Sequence, residues 1–330
     1  VRPWRILALP PLETDVLRLL VAGLGEAVEL TVPATRDRSG LHAALADAEI
    51  VIGDFTGVLA MEASAVAAAP ALAFLQMPSV GVDSCDLPAL TAAGVPVANA
   101  AGFNARTVAE WALGAALTLC RRLAWSDRRV RAGQWPQAEI LSAALPELRS
   151  LKVGILGFGH IGSETAGLFS ALDCEVSYWT RTPRSASPYP YRDLDSLLST
   201  ADILVIALPL TPETTGLLGP ERLALLPEGA LVVNVARGGI VDEKALVEAL
   251  DEGRVGGAAM DVFAAEPLPP DSPLRSHEGI LLSPHVAGTT RQSQRNLFAA
   301  VTRNLTAAVT GAPVDNVVNG LSPHITRHPH

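Results

Sequence analysis

Three stretches in the second half of the chain place titratable side chains in apolar, glycine-marked surroundings: VNVARGG (233–239), MDVFAAEP (260–267) and SPHVAG (283–288). Arg237 offers a planar guanidinium able to clamp a carboxylate and polarise an adjacent carbonyl. His285 offers an imidazole suited to giving and taking a proton near neutral pH. Glu266 is a candidate partner for that imidazole, its negative charge stabilising the protonated ring. Taken singly, each has an ordinary explanation as a strand-end surface charge. Their placement after successive β-like runs argues for a shared site, because in an open α/β sheet ligands bind beyond the carboxyl ends of the strands.

The elements that must position these residues are readable from hydrophobic runs. Strands are expected at Glu175 to Trp179, Ile203 to Ala207, Ala230 to Val235, Gly257 to Val262 and Ile280 to Leu282, all following the run LKVGILGFGHIG (151–162). That run has the form of a buried strand turning into a helix. Gly157 would make the tight turn, Gly159 would let backbone approach a pyrophosphate, and Gly162 would let helix pack closely on strand. The helix beginning near Ile161 would point free N–H groups at the anion. A glycine-rich loop alone is a weak signal, but five further strands are enough to complete a doubly wound sheet.

The first hundred residues show the same alternation, with strands expected at Arg5 to Leu9, Ala27 to Val32, Glu49 to Gly53, Ala71 to Leu75 and Val95 to Asn99. Helical stretches fall between them at Thr14 to Ala22 and Gly57 to Ala69, so a second parallel sheet flanked by helices is expected. A long helix at Ala105 to Arg122 is apolar on nearly every face, which predicts burial between domains or subunits. The last helix, Thr290 to Thr310, stops before Gly311 and Pro313. The tail LSPHITRHPH is expected to be frayed, with His324, His328 and His330 exposed to solvent.

Composition narrows the functional classes. A chain of 330 residues with 49% apolar and 18% charged residues suits two α/β domains with buried sheets. A net charge of −9 argues against a nucleic-acid or anionic-membrane surface. Apolar runs are too short to span a membrane and the N-terminus lacks a signal-peptide core, which predicts a cytoplasmic protein. Cys85, Cys120 and Cys174 are expected as buried reduced thiols, and no metal-ligand spacing is present.

The strand after the glycine loop would normally end in a carboxylate that binds the adenosine ribose. Here it ends in YWTRTPR (178–184). Thr180, Arg181 and Thr182, with Arg184, offer donors to a 2′-phosphate, which favours NADP(H) over NAD(H). The alternative is that both arginines only solvate a loop.

With these residues in view, the chain resembles the D-isomer-specific 2-hydroxyacid dehydrogenase family. The matching motifs, in order, are VGVDSCDL from Val80, AGFNARTVAEWAL from Ala101, VGILGFGHIG, LPLTPETTGLL from Leu208, NVARGGIVDEKAL from Asn234, AAMDVFAAEPL from Ala258 and SPHVAGTT from Ser283. The resemblance implies a Rossmann nucleotide domain (100–287) inserted in a flavodoxin-like substrate domain (1–99 plus 288–330). It implies Arg237, Glu266 and His285 as the catalytic trio and the Val80 and Gly81 amides, with Arg237, as substrate contacts. Cofactor contacts implied are Thr107, Gly157, Gly159, His160, Ile161, Gly162, Thr180, Arg181, Thr182, Leu208, Pro209, Thr214, Val235, Ala236, Asp261, His285 and Gly288. Among these, Asp261 would meet the nicotinamide carboxamide, and His160 stands where many relatives have arginine.

The implied reaction is hydride transfer between NADP(H) and a small 2-oxo or 2-hydroxy acid, as in the glyoxylate and hydroxypyruvate reductases. The other reading is a nucleotide-sensing, corepressor-like protein on the same fold; within enzymes, formate or phosphite dehydrogenation are minor alternatives. Glu266 argues against the formate branch, which uses glutamine there. Substrate selectivity is expected near Asp54 to Val58 and Gln76 to Gly81, with Phe55, Leu75 and Met77 expected in the core. No metal, nucleic acid or membrane partner is expected, and the Ala105 to Leu123 helix with the tryptophan-containing segment after it predicts a homodimer.

Overall fold

The computed structural model describes residues 2–327. The chain forms two compact units, Val1–Phe103 with Arg291–His330, and Asn104–Thr290.

In the first unit, strands β1 (Trp4–Ala8), β2 (Val28–Thr31), β3 (Ile50–Ile52), β4 (Phe74–Gln76) and β5 (Val97–Ala98) form a parallel sheet in the order β2-β1-β3-β4-β5. This is the flavodoxin-like order. Helices α1 (Thr14–Leu19), α2 (Arg38–Leu45), α3 (Ala63–Ala67) and α4 (Leu87–Ala92) connect the strands. Asp37 and Asp86 cap α2 and α4 by accepting the Gly40 and Ala89 N–H groups. Strands β3 and β4 are buried at every position, so they read as continuous apolar runs.

The expected helix from Gly57 to Ala69 is reduced to the five residues of α3. Residues 54–62 form a loop instead, because buried Asp54 draws the chain into a turn. Its carboxylate accepts Thr56 N at 2.8 Å, Thr56 Oγ1 at 2.7 Å and Leu59 N at 3.1 Å, and Gly57 takes a positive φ of 76°. Phe55 is consequently turned outward and is 48% exposed, contrary to its expected place in the core. Leu75 and Met77 are buried as expected.

The second unit opens with α5 (Ala105–Cys120), α6 (Leu123–Arg131) and α7 (Gln137–Ser142). It continues through β6 (Lys152–Leu156), α8 (His160–Ser170), β7 (Glu175–Trp179), α9 (Leu194–Leu198), β8 (Ile203–Ile206), α10 (Pro220–Leu223), β9 (Ala230–Asn234), α11 (Glu243–Asp251), β10 (Val255–Met260) and β11 (Ile280–Leu282). All six strands are parallel, in the order β11-β10-β9-β8-β6-β7. The sheet is doubly wound, with the change of direction between β6 and β8. Among the described residues, the strand that would lie beyond β7 in the six-stranded dinucleotide order is reduced to a single parallel bridge between Tyr191 and Tyr178. Residues 180–192 are folded back instead: the Tyr178 hydroxyl accepts Arg184 N and donates to Arg184 O, and Tyr178 N meets Pro190 O.

Helix α5 is a layer of this unit. Val108, Ala112, Ala115 and Ala116 join the core formed with β6, β8 and β9, while Arg106, Glu110 and Gly114 remain exposed. Within the chain it is thus buried on one side only. It ends at Cys120, before Arg122 takes a φ of 50° and redirects the chain.

The final helix, α12 (Arg291–Thr310), returns to the first unit, where Val301, Leu305 and Ala308 pack with Ile6, Phe74 and Ala98. The tail after it is ordered through Arg327, not frayed. Val314 N bonds Pro323 O, Ile325 is buried, and the Arg327 guanidinium lies 4.3 Å from the Trp4 ring centre and 3.3 Å from Glu49. His324 is exposed as expected, whereas His328 and His330 lie outside the described residues. Among the described residues no helix is long and apolar enough to cross a membrane.

Candidate active site

Within the second unit, the loops after β6, β8, β9, β10 and β11 leave the same edge of a parallel sheet. The glycine loop follows β6. Gly157 has a φ of 102°, and a Cβ there would fall 2.6 Å from Ala207 O. At Gly162 a Cβ would fall 2.0 Å from Gly157 O, so only glycine lets α8 approach the strand this closely. Gly159 opens onto free space, with nothing within 4 Å of a Cβ. No side chain caps α8, and the N–H groups of His160, Ile161 and Gly162 have no partner among the described residues. A turn free of side chains ahead of three unpaired donors at the positive end of an 11-residue helix fits a diphosphate.

Around this loop, Leu208 packs over Gly157, and buried Val235 and Ala236 follow β9. The Thr214 hydroxyl is occupied by its own loop, donating to Pro209 O and accepting Thr211 N, both at 2.7 Å. At the end of β7, Thr180 is half-buried and Arg181 and Thr182 are exposed. The Glu213 carboxyl sits below its ordinary range, chiefly through the Thr211 hydroxyl and in smaller part through Arg181. Thr107 and Thr290 share a hydrogen bond of 3.1 Å, and a Cβ at Gly288 would collide with the Asn104 amide.

His285 and Glu266 meet as expected, and further contacts that were not legible in advance hold them. His285 Nδ1 lies 2.8 Å from Glu266 Oε2, and Glu266 Oε1 accepts Phe263 N at 3.0 Å, so both carboxylate oxygens are fixed. His285 itself has a φ of 55°, a conformation costly for a side-chain-bearing residue. Buried Asp261 holds it there. Its backbone O accepts His285 N, while its carboxylate accepts Val286 N and Ala287 N, each at 2.8 Å, and the Ser283 hydroxyl. Asp261 is therefore the anchor of the histidine loop.

Arg237 is half-buried, with Nη1 on Ala236 O at 2.7 Å, and Asn234 Nδ2 fixes its carbonyl at 3.0 Å. The next residue, Gly238, packs so tightly that a Cβ would fall 1.8 Å from the Phe263 carbonyl carbon. This close approach couples the Arg237 turn to the loop that carries Glu266. The double glycine after Arg237 is the sequence signal for it.

In the first unit, the Val80 and Gly81 N–H groups have no partner among the described residues. The carbonyls of the same two residues accept the Asn99 amide and the Ser79 hydroxyl, each at 2.7 Å. Asn99 and Ser79 did not emerge from the motifs.

An imidazole bonded to a carboxylate, a guanidinium and an anion cradle on one sheet edge suit reduction of a carbonyl by a dinucleotide. Known proteins agree. A family model described as the NAD-binding domain of D-isomer-specific 2-hydroxyacid dehydrogenases matches residues 113–287. The chain is 37% identical over 265 residues to a glyoxylate reductase of Thermofilum pendens, covering 78% of each. It is 35% identical over 263 residues to a D-3-phosphoglycerate dehydrogenase of Archaeoglobus fulgidus, covering 78% of this chain but spanning only 49% of that relative. The crystal structure of an NADPH-dependent glyoxylate/hydroxypyruvate reductase from Sinorhizobium meliloti, in complex with NADP and malonate, is 28% identical, with a TM-score of 0.83 and full coverage of both chains. With the glycine cradle, the parallel sheets and the sequence matches in agreement, the chain belongs to the D-isomer-specific 2-hydroxyacid dehydrogenase family of oxidoreductases.

Proposed function

We propose that the protein reduces a small 2-oxo acid of the glyoxylate or hydroxypyruvate type to its 2-hydroxy acid with NADP(H). The observation that carries this reading is the 2.8 Å contact between His285 and Glu266. With Nδ1 committed to the carboxylate, Nε2 is the nitrogen left to give a proton to the substrate carbonyl oxygen. Arg237 binds the substrate and polarises that carbonyl, and the Val80 and Gly81 amides take the carboxylate. The bound nicotinamide supplies the hydride to C2. After transfer, His285 is neutral and still donates from Nδ1 to Glu266. Asp261 serves the nicotinamide carboxamide in addition to holding the histidine loop.

The preference for NADP(H) rests on the end of β7, where Thr180, Arg181 and Thr182 stand in place of a carboxylate. Binding of the pyrophosphate falls to the α8 amides, with Thr107, Leu208, Pro209, Thr214, Val235, Ala236 and Gly288 completing the cofactor contacts. Support for both cofactors exists among similar proteins, since the family model is described by NAD and one similar structure holds NADP. No specific observation favours the corepressor-like reading.

Helices α6 and α7 contain no buried residue, and the segment exposes Leu123, Val130, Trp135 and Leu141, with Trp135 76% exposed. A solvent-facing apolar arm of this kind is what a second copy of the chain would cover in a homodimer.

A steady-state screen of NADPH and NADH against glyoxylate, hydroxypyruvate, pyruvate and bulkier 2-oxo acids tests the reading. Turnover of a small 2-oxo acid is expected, with a higher kcat/KM for NADPH that falls toward the NADH value in Arg181→Ala. Tight cofactor binding without turnover of any of these acids would overturn it. Sedimentation of the native chain tests the dimer, which a monomeric mass would refute.

A further inference from the structure

The main-chain turn 79–81 is held in a specific sense. Ser79 O accepts Ala100 N at 2.9 Å, and Met77 N meets Ala98 O at 2.8 Å, so the turn is tied on one side to the chain running out of β5. Within the turn, the Asn99 amide donates to Val80 O and the Ser79 hydroxyl to Gly81 O, each at 2.7 Å. The orientation of the Asn99 amide is fixed independently, since its Oδ1 accepts the Ala101 N–H at 3.1 Å. Asn99 is in turn held by its own N–H on Asn316 O at 3.2 Å. Both carbonyls of the Val80–Gly81 pair are thus consumed by side-chain donors, while both N–H groups lack partners among the described residues.

A peptide plane has its N–H and C=O on opposite sides, so fixing the carbonyl fixes the direction of the N–H of the following residue. The bond to Val80 O therefore aims the Gly81 N–H, and a flip of that plane would point a carbonyl where an anion is to be received.

We propose that Asn99 is a positioning residue for substrate binding: through its amide bond to Val80 O it holds the Gly81 N–H outward to receive the substrate carboxylate, while the Ser79 carbonyl, tied to Ala100 N, sets the Val80 N–H and the Ser79 hydroxyl on Gly81 O braces the far side of the turn. This rests on the carboxylate role assigned to those amides in the proposed function. Asn99 touches no reacting atom, and its effect is on binding. Loss of the donor lets the Val80–Gly81 plane turn, so the carboxylate loses preorganised hydrogen bonds in ground and transition states alike.

The test uses the full chain with 15N-labelled valine and glycine, saturating NADPH, and oxalate as an unreactive carboxylate probe. In the native protein oxalate is expected to shift the Val80 and Gly81 amide resonances. In Asn99→Ala, the oxalate Kd and the KM for glyoxylate are expected to rise about tenfold or more, with kcat and NADPH affinity within about threefold. Ser79→Ala, which leaves Asn99 in place, should show the same split to a smaller degree and serves if the first variant fails to fold. If oxalate leaves both amides unmoved in the native chain, the carboxylate site is misassigned and the proposal falls with it. If the native amides shift but both variants keep native oxalate affinity and KM, the positioning role alone is overturned. A parallel loss of kcat and NADPH affinity would likewise overturn it, since that is the mark of general structural damage.

Discussion

His285 Nδ1 and Glu266 Oε2 lie 2.8 Å apart, and the second glutamate oxygen is fixed by the Phe263 N–H at 3.0 Å. The contact commits one ring nitrogen to a carboxylate, and in the proposed reaction the other carries the transferable proton. His285→Ala should lower kcat for 2-oxo acid reduction by about 100- to 10,000-fold, with NADPH affinity nearly intact. Glu266→Gln keeps the hydrogen-bonding shape but removes the charge that stabilises imidazolium. Its reduction rate should therefore fall. Stopped-flow and steady-state rates across pH check both, and an unchanged rate in His285→Ala would remove it from the mechanism.

Gly238 joins the two halves of this machinery by contact. A side chain there would be driven into the Phe263 carbonyl and Ala264 N, at 1.8 and 2.2 Å from an ideal Cβ. Both obstacles are backbone and cannot swing aside, so Gly238→Ala should move the Arg237 turn away from the Glu266 loop. The expected result is a stability loss of about 1–3 kcal/mol with a disproportionate fall in kcat/KM. Denaturant melts and kinetics on the same preparation separate the two effects, and native kinetics would show that the contact is not needed for the chemistry.

The three thiols are expected to be inert. Burial pushes the Cys85 thiol up to about 11, with Asp83 adding a smaller push and Ser84 opposing, and burial also raises Cys120 and Cys174. A raised thiol value means that the folded state favours the protonated form. The Cys85 contribution to stability is therefore present below its ordinary value of 9.0 and is lost as pH rises toward about 11. Iodoacetamide at pH 8, read cysteine by cysteine by mass spectrometry, should label the native protein far more slowly than the urea-unfolded chain, because only about 0.1% of Cys85 is thiolate there. Rapid native labelling of Cys85 would contradict this.

What was legible in the sequence is what lies at strand ends beside glycine. Arg237, Glu266 and His285 each follow a strand whose apolar run marks it as buried, and Gly157 and Gly162 meet the steric demands their spacing implied. Buried polar residues that act through backbone were not legible. Asp261 shows as an anchor only once Val286 N and Ala287 N are seen to converge on it, and Asn99 only once its amide is seen on the Val80 carbonyl. The failed helix at 57–62 had a local warning. Asp54 is followed by Thr56 and Gly57, the pattern of a side-chain-capped turn, but the alanine-rich composition beyond it outweighed that signal. The ordered tail depends on partners some 300 residues away, which no local pattern can supply.

That turn carries the last prediction. Asp54 is fully buried, and the Arg36 guanidinium reaches it at 2.6 Å while also donating to Leu9 O at 2.6 Å. Together with the donors from Thr56 and Leu59, the pair holds residues 54–59 so that Phe55 and Val58 project into solvent, at 48% and 65% exposure. Arg36→Ala would leave a buried carboxylate without its countercharge, a loss of about 3–5 kcal/mol. Asp54→Asn would keep Oδ1 as an acceptor for Thr56 but turn an amide donor toward Arg36 and the Leu59 N–H, which share Oδ2, so a loss of comparable size is expected. Urea unfolding of the two variants gives the comparison. The double variant Arg36→Ala with Asp54→Asn should recover part of the Arg36→Ala loss, because the unpaired charge is then gone. Strict additivity of the two single losses would show that the ion pair does not hold the loop.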